Sequence, residues 1–383
     1  MANTLTNLIQ YISDTADVVS RELVGMIPSV YLNGKAEQVA KNQNITYPVV
    51  PAATAADITP AATVPALADT AYGYDTMAIT KIRGHRFHWT GEDEASIGSD
   101  MKNILQNNKF AQAFRVLINE MEADLAALYV SASRAYGTAG TTPFGTAGDF
   151  SDAASVVKIL KDNGAPIGDL QLVINTAAGA NIIGKHARAD ILGNNVGSLQ
   201  QQGILLALAG CNIRESAQIK TQTKGTGASY LVNNASNYAI GSTTIAVDTG
   251  TGTILAGDVL TNSQSGRDAN NKYIVKTALS GGSLVLNNPG NQVAWLDNDS
   301  VAVGNNYAAN LAFDRSAIHL LARLPKSPEG GDVAQDEYIM TDAISGIPFR
   351  IALYRGYYAN QIEVSVAWGV KAVKSEHIAI LLG

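Results

Sequence analysis

The sequence predicts an α+β fold organised around one long helix, with a mixed centre, an all-β insertion and a closing antiparallel sheet. Three stretches carry that prediction. Ser99 to Tyr136 contains neither Gly nor Pro and is bounded by Gly98 and Gly137. Its apolar residues Met101, Ile104, Leu105, Ala111, Phe114, Ile118, Met121, Leu125 and Leu128 fall on one face of a period-3.6 helix. Lys102, Asn103, Lys109, Arg115, Glu122 and Tyr129 fall opposite. At 1.5 Å per residue such a helix runs about 50 Å. Thr221 to Asn306 is rich in Gly, Ser, Thr and Asn, with short strand-like runs between turn signals. Gln361 to Val373 alternates, with Ile362, Val364, Val366, Trp368 and Val370 on one side.

The remaining elements follow in order. Thr4 to Val24 reads as an amphipathic helix stopped by Gly25 and Pro28, either a core helix or an arm packed on another subunit. Ile45 to Val50 reads as a strand. Pro51 to Ala71 is Ala, Thr and Pro with only Asp57 and Asp69 charged, so it cannot build a core of its own. Thr76 to Thr90 returns as a strand carrying Lys81, Arg83, His85, Arg86 and His88. From Asn42 to Thr80 there is no Lys or Arg. The two limbs read as a long two-stranded excursion, one neutral to acidic and one basic.

After the long helix come a Gly/Thr loop, Gly137 to Gly148, and a helix from Phe150 to Asn163. Ser151 or Asp152 is the expected cap of that helix, and Gly164-Ala165-Pro166 its stop. Leu170 to Asn175 reads as a buried strand, Thr176 to Leu192 and part of Gly197 to Gly210 as helices, and Cys211 to Lys220 as a strand. Within the insertion, strands are expected at Thr243 to Val247, Thr253 to Leu255, Tyr273 to Thr277, Ser283 to Leu286 and Ser300 to Val303. Asp248-Thr249-Gly250 and Ser280-Gly281-Gly282 are turns between them. That spacing predicts a small barrel or sandwich. Leu311 to Leu324 resumes a helical and mixed pattern. Glu337 to Thr341, Ile347 to Tyr354 and Gln361 to Val373 then close the chain as an antiparallel sheet with one buried face.

Composition narrows the class. The 383 residues suffice for two or three domains. Only 16% are charged and 46% are hydrophobic, which suits a subunit surrounded by neighbours. A net charge of −6 argues against nucleic acid as a bulk partner. The single cysteine, Cys211, excludes an intrachain disulfide framework. The N-terminus has no secretory pattern, and the longest apolar runs, such as Gly203 to Gly210, are too short to cross a bilayer. A soluble protein made inside a cell is expected.

The search for chemistry yields near misses. Gly179, Gly184 and Lys185 match the glycine and lysine positions of a phosphate loop, but His186 stands where a Ser or Thr would hold Mg²⁺. Thr176-Ala177-Ala178 reads as a helix start, which places both glycines inside a helix. His85 and His88 lie an odd number apart on a strand and face opposite sides. His186, His319 and His377 are scattered. Glu92, Asp93 and Glu94 are explained by a helix dipole. The basic strand has Phe87 and Trp89 interleaved, a weak match to a base-stacking platform, and an inter-subunit salt-bridge edge fits the acidic total better. No catalytic, cofactor-binding or metal-ligating residue is assigned, and no enzyme activity is expected.

Two stretches and the order of parts carry a resemblance. Gly203-Ile-Leu-Leu-Ala-Leu-Ala-Gly210-Cys-Asn-Ile-Arg-Glu-Ser216 precedes the insertion. Phe349-Arg-Ile-Ala-Leu-Tyr-Arg-Gly356, Val366-Ala-Trp-Gly-Val370 and Glu376-His377-Ile378 close the chain. The sequence resembles the HK97-fold major capsid proteins of tailed double-stranded DNA bacteriophages, in particular the P22-like coat proteins of short-tailed Salmonella phages. The resemblance implies an N-terminal arm (1–44), an extended loop (45–98), a spine helix and peripheral domain (99–148) and an axial domain (149–220). It further implies an inserted β-domain (221–306) and the rest of the axial domain with a closing peripheral sheet (307–383).

The function implied is a capsid subunit that assembles as hexamers and pentamers around DNA without gripping it. The implied partners are other copies, a separate scaffolding protein, a portal and possible decoration proteins, in a virion assembled in host cytoplasm. Some shells of this fold join subunits through a lysine–asparagine isopeptide bond. Here the excursion has no lysine before Lys81, although Asn360 and Glu363 would offer an acceptor and a carboxylate, so a non-covalent lattice is expected. Asp57, Asp69 or Asp75 would then meet the basic limb of a neighbour. The rival readings are a cellular nanocompartment shell and, on Gly179 to Lys185 alone, a P-loop nucleotide hydrolase.

Overall fold

The computed structural model describes residues 24–49, 60, 73–97, 99–146, 149–189, 208–264, 268, 270–342 and 345–383. Its first half runs β1 (Tyr31–Val39), β2 (Asn44–Val49), β3 (Gly73–Ala78), β4 (Lys81–Thr90), α1 (Gly91–Ile97), α2 (Ser99–Ala126), β5 (Arg134–Tyr136), α3 (Ser151–Asp162), β6 (Leu170–Ile174), α4 (Thr176–Ala189) and β7 (Cys211–Glu215). The next strands are β8 (Thr221–Gln222), β9 (Tyr230–Val232), β10 (Thr244–Asp248), β11 (Val259–Asn262), β12 (Lys272–Ser280), β13 (Ser283–Leu286) and β14 (Ser300–Val303). The chain closes with β15 (Tyr307–Asp314), β16 (Ile318–Pro325), β17 (Asp336–Thr341), β18 (Pro348–Gly356), β19 (Ala359–Ala372) and β20 (Ile378–Leu382).

The first sheet has the order β1-β16-β19-β18-β17, with β4 also paired to β19. The long β19 is its common strand. It pairs with β18 through residues 359–365, with β16 through 367–372 and with β4 through 359–368. Across it lies α2, which buries Phe110, Phe114, Ile118, Met121 and Leu125 in one core with Phe87, Trp89, Phe349, Val364, Val366 and Trp368. Edge-on ring pairs, Phe87–Phe110 at 5.0 Å and Phe114–Phe349 at 5.1 Å, fix the crossing. The expected single buried face is corrected here: Ala352, Glu363, Ser365 and Ala367 on the opposite face are buried as well. Ala367 packs there with Val39, Met77, Ile79 and Leu321.

The long helix is shorter than its Gly- and Pro-free run. It ends at Ala126; Ala127–Ser131 tighten into a 3-10 turn and Arg134–Tyr136 leave as β5. Ser133 donates its N–H to Ile378 O at 2.9 Å, and β5 is hydrogen-bonded between β12 and β20. Sheet pairing overrides a local pattern that had nothing against helix. Glu122, placed by spacing on the polar face, is fully buried.

The second sheet runs β11-β14-β9-β10-β13-β12-β5-β20-β15-β6-β7, with β8 beside β15. Leu311 to Leu324, expected as helical and mixed, is two strands joined by a 3-10 turn at Arg315–Ala317. β15 and β16 are apolar nearly throughout because both of their faces are buried, and periodicity cannot separate such runs from helix. They belong to different sheets, as do β19 and β20. β17, β18 and β19 form the expected antiparallel run within the first sheet, while β20 passes to the second, so the end of the chain stitches the two sheets together. α3 covers the β20-β15-β6-β7 end through Val156, Val157 and Leu160. It stops at Gly164, whose φ of +76° is left-handed; Gly164 N–H meets Lys161 O at 3.0 Å and Ala165 N–H meets Leu160 O at 2.9 Å. Neither Ser151 nor Asp152 caps α3 through its side chain. Asp152 Oδ2 accepts from Phe144 N–H at 2.7 Å instead.

A third core draws every member from residues 230–303, with Tyr230, Ile245, Leu260, Tyr273, Leu284 and Trp295 at its centre. Thr253 to Leu255 is not a strand there. Gly227 donates to Thr253 O, and the buried Asp258 carboxylate takes the Leu255 N–H at 2.8 Å, so this backbone is satisfied by loops. Thr221–Gln222, Tyr230–Val232 and Val259–Asn262 are strands of this segment that the pattern missed.

The third sheet is the β2–β3 hairpin alone, in register from Asn44↔Ala78 to Val49↔Gly73. The returning limb is not one strand from Thr76 to Thr90. It breaks at the fully buried Ile79, and Thr80 N–H bonds to Trp368 O at 3.0 Å. The basic residues therefore sit on β4, inside the first sheet. The expected helices at Thr4 to Val24 apart from Val24 and at Gly197 to Gly210 apart from its last three residues, the end of Thr176 to Leu192, and Pro51 to Ala71 apart from Pro60 lie outside the described residues.

Candidate functional site

Three polar anchors, one of them fully buried, set how the arm, hairpin and helix meet. Glu122 on α2 accepts from the consecutive backbone N–H groups of Gly25, Met26 and Ile27, at 2.7, 2.6 and 3.0 Å. Burial pushes its carboxyl above the usual range, while those donors and the Ser216 side chain pull it down. The chain leaving residue 24 is thereby clamped to the C-terminal end of the long helix.

The second anchor is Lys81, at the start of β4. Its ammonium lies 2.9 Å from Glu120 and 2.8 Å from Asp124, one turn apart on α2. Burial lowers the Lys81 pKa, but hydrogen bonds to Asp124 and Glu120 outweigh it and hold the pKa above the ordinary value. Arg83 joins Glu120 at 3.2 Å, Arg86 pairs with Glu363, and Trp368 donates its indole N–H to Asp124 at 2.9 Å. The expected inter-subunit role of the basic limb is thus corrected: Lys81, Arg83 and Arg86 are matched within their own chain. The same holds for Asp75, which pairs with Lys371 on β19.

The third anchor is the hairpin base. Lys371 Nζ also reaches Thr76 O at 2.8 Å, and Met77 and Ile79 are buried against the sheet. Among the described residues, β2 and β3 pair with each other and with no strand of either large sheet. Tyr74, near its outer end, is 75% exposed. At the tip between β18 and β19, Tyr357 and Tyr358 are 92% and 79% exposed and meet edge-on at 4.7 Å.

The chain is similar to solved structures of phage capsids and of a virus-like particle. The capsid structure of the cyanophage P-SCSP1u matches with 11% identity and a TM-score of 0.48, covering 92% of this chain and 86% of that one. The virus-like particle from Pyrococcus furiosus matches with 8% identity and a TM-score of 0.44, covering 98% and 99%. The mature capsid of bacteriophage PhiM1 matches with 9% identity and a TM-score of 0.42, covering 94% and 86%. No family model matches the sequence, and no curated protein matches it.

The chemical near misses take ordinary structural places. Gly179 and Gly184 lie within α4, and Gly179 N–H closes its first turn on Asn175 O at 3.0 Å. An amide spent on the helix cannot cradle a phosphate. Asp93 Oδ2 accepts from Thr90 N–H at 3.1 Å while Thr90 Oγ1 accepts from Asp93 N–H at 3.1 Å, a reciprocal cap on α1 that accounts for the acidic run there. His85 lies 6.5 Å from the ring of buried Phe87, whereas His88 is exposed. Cys211 is buried and its thiol is pushed up to about 11, so it is a poor nucleophile at neutral pH. Among the described residues no three His, Cys, Asp or Glu side chains gather around a possible metal position. None of those residues forms a helix long and apolar enough to cross a membrane. Sequence reasoning missed Glu122, whose partners are backbone amides roughly a hundred residues away and leave no side-chain signature.

Proposed function

We propose that this chain is the major capsid protein of a tailed double-stranded DNA bacteriophage, assembling as hexamers and pentamers into an icosahedral shell. The observation that carries the reading is the β2–β3 ribbon, which among the described residues is fastened to its own subunit at its base. A two-stranded ribbon is marginal in water by itself. A neighbouring subunit beneath it supplies the missing surface, and the low charge of the chain suits such lateral burial. The exposed Tyr357 and Tyr358 tip offers a second contact of the same kind.

Within this reading residues 1–44 act as an arm and the ribbon as the extended loop, with β4 reassigned to the peripheral sheet. Residues 149–220 with β15 and β20 form the axial domain, and 221–306 an inserted lobe. The subunit encloses DNA without specific contacts and has no enzymatic role. Its partners are further copies, a separate scaffolding protein, a portal and possible decoration proteins, and assembly takes place in host cytoplasm. Overexpression of the full chain with a scaffolding protein should yield closed particles of uniform diameter by electron microscopy. A stable monomer in sedimentation at high concentration, with scaffolding protein present, would overturn the reading.

A further inference from the structure

The cleft between the 230–303 lobe and the β19–β20 connection gathers polar and cationic side chains from both sides. A polar cavity of about 520 Å³ lies there. Lys276 from the lobe and Lys374 from the connection both line it, as do Ser131, Ser375, Asn288 and His377. Glu376 is the one carboxylate on its wall. Donors and positive charge predominate.

Three features mark the cavity as built. Lys276 is the extra residue of a β-bulge: the register passes from Val275↔Leu286 to Thr277↔Val285, so Lys276 has no partner opposite. Bulges re-aim a side chain out of the regular pleat. The walls are then fixed by amides that reach across elements. Asn287 Nδ2 donates to Val130 O at 2.7 Å and Ala132 O at 2.9 Å, and Asn163 Nδ2 donates to Glu376 O at 2.8 Å. Finally, His377 is only 9% exposed, and its Nδ1 has no hydrogen-bond partner among the described residues. A buried polar atom of that kind calls for a partner. Burial, reinforced by Lys374 against the pull of Glu376 and Asp314, holds the His377 pKa below its ordinary value. The neutral ring can present an Nδ1–H.

We propose that this cavity binds a free tetrahedral oxyanion of the phosphate class between the Lys276 and Lys374 ammonium groups, with His377 Nδ1–H and the Ser131 and Ser375 hydroxyls as further donors. Two cations brought together from separate elements repel each other until an anion lies between them. The bound anion would tie the lobe to the body of the subunit. A divalent cation is disfavoured by the same two lysines.

The test uses the full chain and sodium phosphate, with sodium chloride at matched ionic strength as control. Calorimetric titration should show one phosphate per chain. Phosphate at tenfold excess over its Kd should raise the melting temperature by about 2 °C. Both lysines are exposed, so the Lys276→Gln, Lys374→Gln double variant should keep the far-UV circular dichroism of the parent. It should bind phosphate at least tenfold more weakly and lose the thermal shift. Equal binding by parent and double variant, or binding by neither, would overturn the proposal. So would a lysine-dependent interaction with a short oligothymidylate where free phosphate gives none, which would make this a nucleic-acid contact.

Discussion

Glu122 accepts the backbone N–H of Met26 across 2.6 Å, joining the C-terminal end of α2 to a segment 96 residues earlier in the chain. Glu122→Ala leaves that amide and those of Gly25 and Ile27 buried without an acceptor, at a cost of about 3 kcal/mol. Glu122→Gln keeps an acceptor oxygen and should cost about 1 kcal/mol. Urea unfolding midpoints would measure both, and equal midpoints for parent and Ala variant would refute the clamp.

The same carboxyl sets a pH dependence. Its folded pKa lies above the unfolded value of 4.5 because burial outweighs its hydrogen bonds. The folded state therefore holds the proton more tightly, and the associated stability is fully present below the unfolded value. It is lost as pH rises through the folded pKa. The stability gap between the parent and Glu122→Gln, which lacks this titration, should narrow from pH 4 towards pH 7. A gap that widens over that range would contradict the assignment.

Gly369 on β19 faces the hairpin base so closely that a Cβ there would lie 2.0 Å from Ala78 O. Gly369→Ala must displace that backbone, at a cost of about 2 kcal/mol or more. The expected result is faster proteolytic cleavage at the ribbon and poor assembly at a melting temperature only modestly lowered. Unchanged cleavage kinetics would show that the base can shift freely.

The 221–306 segment should fold in isolation, since its core draws on none of the rest of the chain. A strand-rich spectrum and a cooperative melt are expected. Tyr273→Phe should lower that melt by removing the 2.6 Å hydrogen bond to buried Asp268, worth about 1–3 kcal/mol. An unfolded fragment would mean that pairing of β12 with β5 is needed to form the lobe.

The shell should be held without covalent bonds. Lys81, the first lysine after the excursion, is occupied by Glu120 and Asp124, and Glu363 is occupied by Arg86. Particles boiled in detergent should run as one monomer band. A ladder that survives reducing agent and maps to Lys81 would refute this.

Periodicity found α2, α3, β6, β18 and β19 because each has one pattern that survives its surroundings. It misread β15 and β16, where burial on both faces erases the alternation, and it extended α2 through β5, where no Gly or Pro warned of a stop. The basic strand was visible, but its role was not. Whether Lys81 meets a carboxylate of its own chain or of a neighbour depends on where α2 crosses the sheet, and that is set by Phe110 and Phe114 against Phe87 and Phe349.

By itself, the sequence determined the α+β class, the long central helix and the strand-rich character of residues 221–306, since composition and local period encode which faces are apolar. Tertiary structure alone decided that β19 is shared by three strands, that the closing strands divide between two sheets, and that Glu122 is buried. The physical reason is that hydrogen-bond partners and desolvation are properties of elements brought together. Backbone donors at residues 25–27 carry no side-chain signal to announce which distant carboxylate they will bind.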